Sequence, residues 1–305
     1  MTHLRNYISA FMQAHGFPAD AQVDLVAAFD AISANENAMQ RFLSLLDEYN
    51  DNIKCNYPRM LKDAISLGHE LGIHEYTVSL LLFICLSKRL KEVYAERGID
   101  ESVFFASVHD LYYKLIECRL IKGINGSFVA IWFSGFFDLT RFALGRLQFE
   151  ITAVEFDVTI GGKLYPKGTK ALAVHIPRTG TRLERDLVLE SYRLASEFFR
   201  VEFDGQPILF CCHSWMLDPW LGSVLSPSSN IVTFAKDYLL IHDNVSSINN
   251  VVWRVFDEDY RGDPYALSQS SSIRRAYADR IARGDDLIET LGFFVYENGN
   301  IINYN

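Results

Sequence analysis

The spacing of apolar residues changes once along this chain, near residue 125, and the change calls for two different kinds of packing. Before it, apolar residues recur every three or four positions, as in Val23, Val26 and Ala27 or Phe42, Leu45, Leu46 and Tyr49, and proline is rare. That is the period of amphipathic helices. Thr77–Tyr94 is apolar almost all round, through Val78, Leu80–Leu86 and Leu90, and is expected to be the most buried helix. Leu67-Gly68 and Leu71-Gly72 read as interruptions near helix ends, and the turn residues of Lys122-Gly-Ile-Asn-Gly126 mark the break itself.

From Arg146 onward, strand and helix patterns alternate. Strands are expected over Leu147–Val158, Lys170–Ile176, Ile208–Ser214, Tyr238–His242, Val251–Phe256 and Leu291–Tyr296. Helices are expected over Arg182–Phe199, from Ser228 or Ser229 to Lys236, and over Ser270–Arg283. Gly161-Gly162 and Pro166-Lys-Gly168 carry hairpin chemistry between the first two strands. The expected class is therefore α+β, with an all-helical domain at 1–125 and a mixed-sheet domain at 126–305. A length of 305 residues with 49% hydrophobic residues supports two full cores.

Composition excludes several functions. The longest apolar run, Leu80–Leu86, is far short of the ~20 residues that span a bilayer, and Met1–Ile8 has no leader pattern. A soluble, cytoplasmic protein with no membrane partner is expected. Five cysteines, Cys55, Cys85, Cys118, Cys211 and Cys212, show neither disulfide-framework nor metal spacing, so free thiols and no metal site are expected. A net charge of −9 argues against nucleic acid as a partner.

One segment opposes that charge. Between residues 161 and 185, Lys163, Lys167, Lys170, Arg178, Arg182 and Arg185 face a single acid, Glu184, for a local +5. Ala171–Ile176 reads as a strand, Pro177–Gly180 as a loop, and Thr181-x-x-Glu184 as a capping box opening a helix. Such a strand-loop-helix unit suits an anionic cofactor.

Several motifs occur in one order: Leu144-Gly-Arg-Leu-Gln-Phe-Glu150, Val174-His-Ile-Pro177 with Gly180, Ala195-x-x-Phe-Phe199, Cys212-x-Ser-Trp-x-Leu217 with Pro219, Ser229-Asn-Ile231 and Trp253-Arg-Val-Phe256. Together they resemble the GNAT-like C-terminal domain of a bacterial acyltransferase family, and the helical half resembles the N-acyltransferase N-terminal domain that accompanies it. The resemblance implies acyl-CoA or acetyl-CoA as co-substrate and direct acyl transfer to a small-molecule amine or peptide acceptor. It also implies that Ala171–Ile176 and Ile208–Ser214 splay apart around the pantetheine arm, while Arg178, Gly180, Thr181 and Arg182 hold the pyrophosphate. The loop Arg178-x-Gly180-x-Arg182 has one glycine where the superfamily usually has Gly-x-Gly or Gly-x-Ala.

Amine acylation needs a base, oxyanion donors and an acid for the departing thiolate. Glu150 is the candidate base. His175 reads either as a catalytic partner or as a satisfied core histidine. Strand alternation puts Ile208, Phe210, Cys212 and Ser214 on one face and Leu209, Cys211, His213 and Trp215 on the other, so the adjacent cysteines should not share a pocket. Ser214 is a candidate slot-lining and catalytic residue, and buried inert thiols are expected at Cys211 and Cys212. The acidic run Asp257, Glu258, Asp259 and Asp263 suits either a cationic amine or a solvated loop. A non-catalytic binding module and a thiol-dependent transferase remain the alternative functions.

Overall fold

A computed structural model describes residues 2–304, which form two compact units, up to Phe142 and from Ala143. The first unit is helical: α1 (Thr2–Ala14), α2 (Ala19–Ala34), α3 (Glu36–Asp51), α4 (Tyr57–Glu70), α5 (Glu75–Glu96), α6 (Glu101–Val108), α7 (Asp110–Lys122) and the short α8 (Ser134–Phe137). Asn35, Asn56 and Asp100 accept first-turn N–H groups and so start α3, α4 and α6. α5 is the central element, with Leu80–Ile84 fully buried, and Phe83 meets Phe133 and Phe137 edge-on with centroids 5.2 and 4.9 Å away. Gly68 lies inside α4 and is not an interruption; a Cβ there would stand 2.8 Å from Val78 Cγ1, so the glycine lets α4 pack close to α5. No helix among the described residues is long and apolar enough to cross a membrane.

The sequence break at Lys122-Gly123 ends α7 with Gly123 in the left-handed region, but it does not end the unit. Ser127 N–H donates to Tyr76 O at 3.0 Å, and a Cβ on Gly126 would overlap the Tyr76 carbonyl, so this turn is built into the helical core.

In the second unit the chain forms β1 (Arg141–Leu144, which begins in the first unit), β2 (Leu147–Ala153), β3 (Val158–Ile160), β4 (Lys163–Tyr165), β5 (Lys170–His175), α9 (Arg185–Phe198) and β6 (Ile208–Ser214). The short α10 (Leu221–Val224) and α11 (Asn230–Ala235) lead to β7 (Leu239–Val245), α12 (Ile248–Phe256), α13 (Ser272–Arg283), β8 (Ile288–Glu297) and β9 (Asn300–Ile302). The main sheet runs β1-β2-β5-β6-β8-β7, with β9 also on β8. β5 and β6 are parallel, whereas β2–β5, β6–β8 and β7–β8 are antiparallel.

One sheet face packs on α9. Tyr192 lies against Phe210 and Phe294 at 5.7 and 4.8 Å, and those two rings stack at 4.9 Å. The other face carries Ala171, Leu209, Cys211, Phe293 and Val295, which are covered by Val158, Ile160 and Tyr165 of the β3–β4 hairpin. Val251–Phe256, expected as a strand, is the helix α12. Val251, Val252, Val255 and Phe256 are buried on one helical face, and Ser247 caps the start by accepting from Asn250 N–H. Helical period and a cap outweigh the β-branched composition here.

Candidate functional site

β5 and β6 pair through Leu172↔Phe210 and Ala173↔Cys211, and no ladder joins them beyond that point. Each strand continues on its outer neighbour: β5 reaches His175 opposite Gln148 of β2, and β6 reaches Ser214 opposite Thr290 of β8. The two strands therefore part, and the β5-facing backbone groups of Cys212–Ser214 lie outside any ladder.

The β1–β2 turn and α9 brace the loop that follows β5. Gly145 has φ +69°, and a Cβ there would lie 2.7 Å from Ser191 Oγ, so glycine is required on both counts. Arg146 N–H donates to Ser191 Oγ at 2.7 Å, and that hydroxyl donates to Leu187 O. The Arg146 guanidinium then crosses to the loop, donating to Pro177 O at 2.9 Å and to Thr181 O at 3.0 and 3.2 Å. Arg146 thereby fixes the path of residues 177–181. Composition gave no signal for this role, although the residue lies inside the quoted Leu144–Glu150 motif.

The loop departs from expectation in three ways. Helix α9 begins at Arg185 behind Glu184, whose side chain makes no capping bond, so Thr181-x-x-Glu184 is not a capping box and Thr181 stays in the loop. Within the loop, Thr179 N–H donates to Pro177 O and Thr181 N–H to Thr179 Oγ1, which uses two of the donors expected to face an anion. Gly180, at φ +78° with open space where a Cβ would be, keeps the backbone accessible, and the exposed Arg182 side chain lies beside it in sequence.

The third departure is in the charges. Lys170 opens β5, about 17 Å from its end at ~3.3 Å per residue, and its Nζ donates to Glu202 O, so the +5 run is not one patch. Arg185 Nη1 pairs with both oxygens of the buried Asp237, at 2.6 and 2.5 Å, and so serves the fold. Burial raises the Asp237 carboxyl above its usual range, against the lowering effect of Arg185. Arg178 pairs with Asp257, a partner the sequence did not reveal because the two lie in different elements.

Glu150 and His175 are brought together. By register, Gln148, Glu150, Ala173 and His175 lie on one sheet face, with Glu150 opposite Ala173. Glu150 Oε2 and His175 Nε2 are 2.9 Å apart, and both side chains are about one quarter exposed, at 27% and 26%. His175 is thus neither fully buried nor tied only to backbone. An ionised Glu150 requires the proton on Nε2, and this pair can hold one more proton while remaining bonded.

Cys211 shares that face. Burial first, then the charge of Glu150, push its thiol up to about 12; burial also pushes Cys212 up. Both thiols are protonated near neutrality, which leaves nucleophilic catalysis by either unfavourable. Cys212 lies on the opposite face with Phe210, by Tyr238. Ser214 follows the register of that opposite face, and its hydroxyl accepts from Met216 N–H at 3.1 Å, so the structure does not bring it together with Glu150 and His175.

Residues 6–139 match the N-acyltransferase N-terminal domain, and residues 141–294 match the GNAT-like C-terminal domain. No curated protein matches the chain. Similar solved structures include an acyltransferase in complex with decanoyl-CoA and teicoplanin, with 24% identity, a TM-score of 0.72, and coverage of 92% of this chain and 85% of that one. An acyltransferase in complex with CoA and 10C-teicoplanin has 21% identity, a TM-score of 0.61, and coverage of 94% and 98%. At these identities the likeness is one of fold.

Proposed function

The chain belongs to the family that joins an N-acyltransferase N-terminal domain to a GNAT-like C-terminal domain, and from that premise we propose an acyl-CoA-dependent N-acyltransferase. The observation that carries this reading is the parting of β5 and β6 beyond Ala173 and Cys211, directly ahead of a braced, glycine-containing loop and a helix start. A gap in a parallel ladder leaves strand-edge N–H and C=O groups that an extended amide-bearing arm can pair with. The loop, with Gly180, Thr181 and the side chains of Arg178 and Arg182, would take the pyrophosphate. Solved structures of similar fold hold decanoyl-CoA or CoA, which supports this co-substrate.

The reaction is direct. The amine nitrogen of the acceptor attacks the thioester carbonyl, the carbon–sulfur bond breaks, and the thiolate leaves. The Glu150–His175 pair takes the amine proton, with the carboxylate stabilising the imidazolium that forms. The base is then the pair, with Glu150 orienting and charging His175. The imidazolium returns that proton to the thiolate, which restores the pair, and Ser214, on the opposite sheet face, is assigned no step. The acceptor is proposed to be an amine on a peptide-like molecule, by analogy with the teicoplanin complexes.

The test is release of coenzyme A from decanoyl-CoA in the presence of peptide amines, followed by mass analysis of product and protein. His175→Ala and Glu150→Gln should each lower turnover, in the ~10²–10⁴-fold range of lost base catalysis, while Cys211→Ala and Cys212→Ala stay near the parent. An acyl adduct on Cys211 or Cys212 with Glu150→Gln fully active would replace this mechanism with a thiol-dependent one.

A further inference from the structure

We propose that Asp257 is a positioning residue for the anion-binding loop, holding the Arg178 guanidinium ready for the pyrophosphate of the co-substrate; the inference rests on the reading of that loop given above. Asp257 follows α12 in the left-handed region, φ +66° and ψ 31°, a conformation that aspartate tolerates better than most residues. Its Oδ2 accepts from Arg274 Nη2 at 2.6 Å. Arg274 is itself fixed by Val255 O and Ser268 Oγ, both at 3.0 Å. The carboxylate is therefore anchored without help from Arg178, and its second oxygen, Oδ1, takes Arg178 Nη1.

A guanidinium is a rigid fork of five donors, and one of its terminal nitrogens is held on Asp257. Asp257 is shared by two arginines, so its single charge does not cancel both. The Arg178 side chain is 38% exposed, against 18% for Asp257, so the cation is the outer member of the pair. Arg146 meanwhile fixes the loop backbone on either side of Arg178, through Pro177 O and Thr181 O. Backbone and side chain are thus restrained by separate devices, and binding an anion costs little further ordering at this position. A freely rotating arginine would lose about 0.5–1.5 kcal/mol on capture, equivalent to about 2- to 12-fold in affinity.

The experiment is calorimetric titration of the full chain with coenzyme A. Asp257→Asn should weaken binding by about 2- to 12-fold. It should have no further effect in an Arg178→Ala background, because the two residues act through one interaction. Asp257→Glu, which keeps the charge, should recover part of the loss. Binding by Asp257→Asn as tight as or tighter than the parent, or an equal effect in both backgrounds, would overturn the proposal, since a competing carboxylate predicts tighter binding. If Asp257→Asn does not fold, Arg178→Lys reads the same property. A lysine keeps the charge but lacks the fork and should bind more weakly than the parent; parent-like binding would overturn the proposal. A parent chain that binds no coenzyme A would reject the anion-site reading itself, and this inference with it.

Discussion

A buried histidine of the helical unit, His15, shows how a single side chain couples the fold to its medium. His15 Nδ1 and His109 Nδ1 are 3.0 Å apart, and His15 also stacks on Phe105 with centroids 4.2 Å apart. One ring nitrogen donates and the other accepts, so the bond requires at least one neutral ring. Burial, then the neighbouring His109, lowers His15 to about 4; burial also lowers His109. The unfolded chain takes up a proton below about pH 6.5 that folded His15 accepts only near pH 4. The associated stability is therefore present above pH 6.5 and lost as pH falls towards 4. Urea unfolding followed by a probe in the helical unit should show a lower midpoint at pH 5 than at pH 7.5, with the difference reduced in His15→Phe. An undiminished difference in His15→Phe would show that other groups set it.

At the level of elements, the parts of the fold readable from sequence were those decided locally. β6 was expected at Ile208–Ser214 and is found there, because a continuous apolar run bounded by Pro207 fits nothing else as well. α5 was equally legible from its all-round apolar character. In α12, Val251-Val252 favours a strand locally, whereas the observed helix is decided by packing with Tyr277, Ala278 and Ile281 of α13. In the candidate site, Glu150 and His175 were legible as residue types, but their contact depends on the β2–β5 register. The pairing of Asp237 with Arg185 and of Asp257 with Arg178 joins residues distant in sequence and so gave no signal. The β1–β2 turn offers a test of an element junction. Gly145→Ala should lose about 1–2 kcal/mol from the left-handed backbone alone, and more because the added Cβ meets Ser191. Gly162→Ala, at φ +74° with open space around it, should show only the backbone part. Equal losses in the two variants, measured by chemical denaturation, would show that the Ser191 contact carries no weight.

Across the whole molecule, the two units divide at Phe142/Ala143, and the candidate site is assembled from elements of the second: β2, β5, the loop before α9, and β6. The co-substrate is proposed to lie where β5 and β6 part. Hydrogen exchange of the full chain with and without decanoyl-CoA tests this most directly, because it reports the location of binding. Slowed exchange is expected in peptides covering residues 174–187 and 212–214, with Arg178→Glu/Arg182→Glu abolishing the effect. Protection confined to residues 2–142, or no protection at saturating decanoyl-CoA, would contradict it.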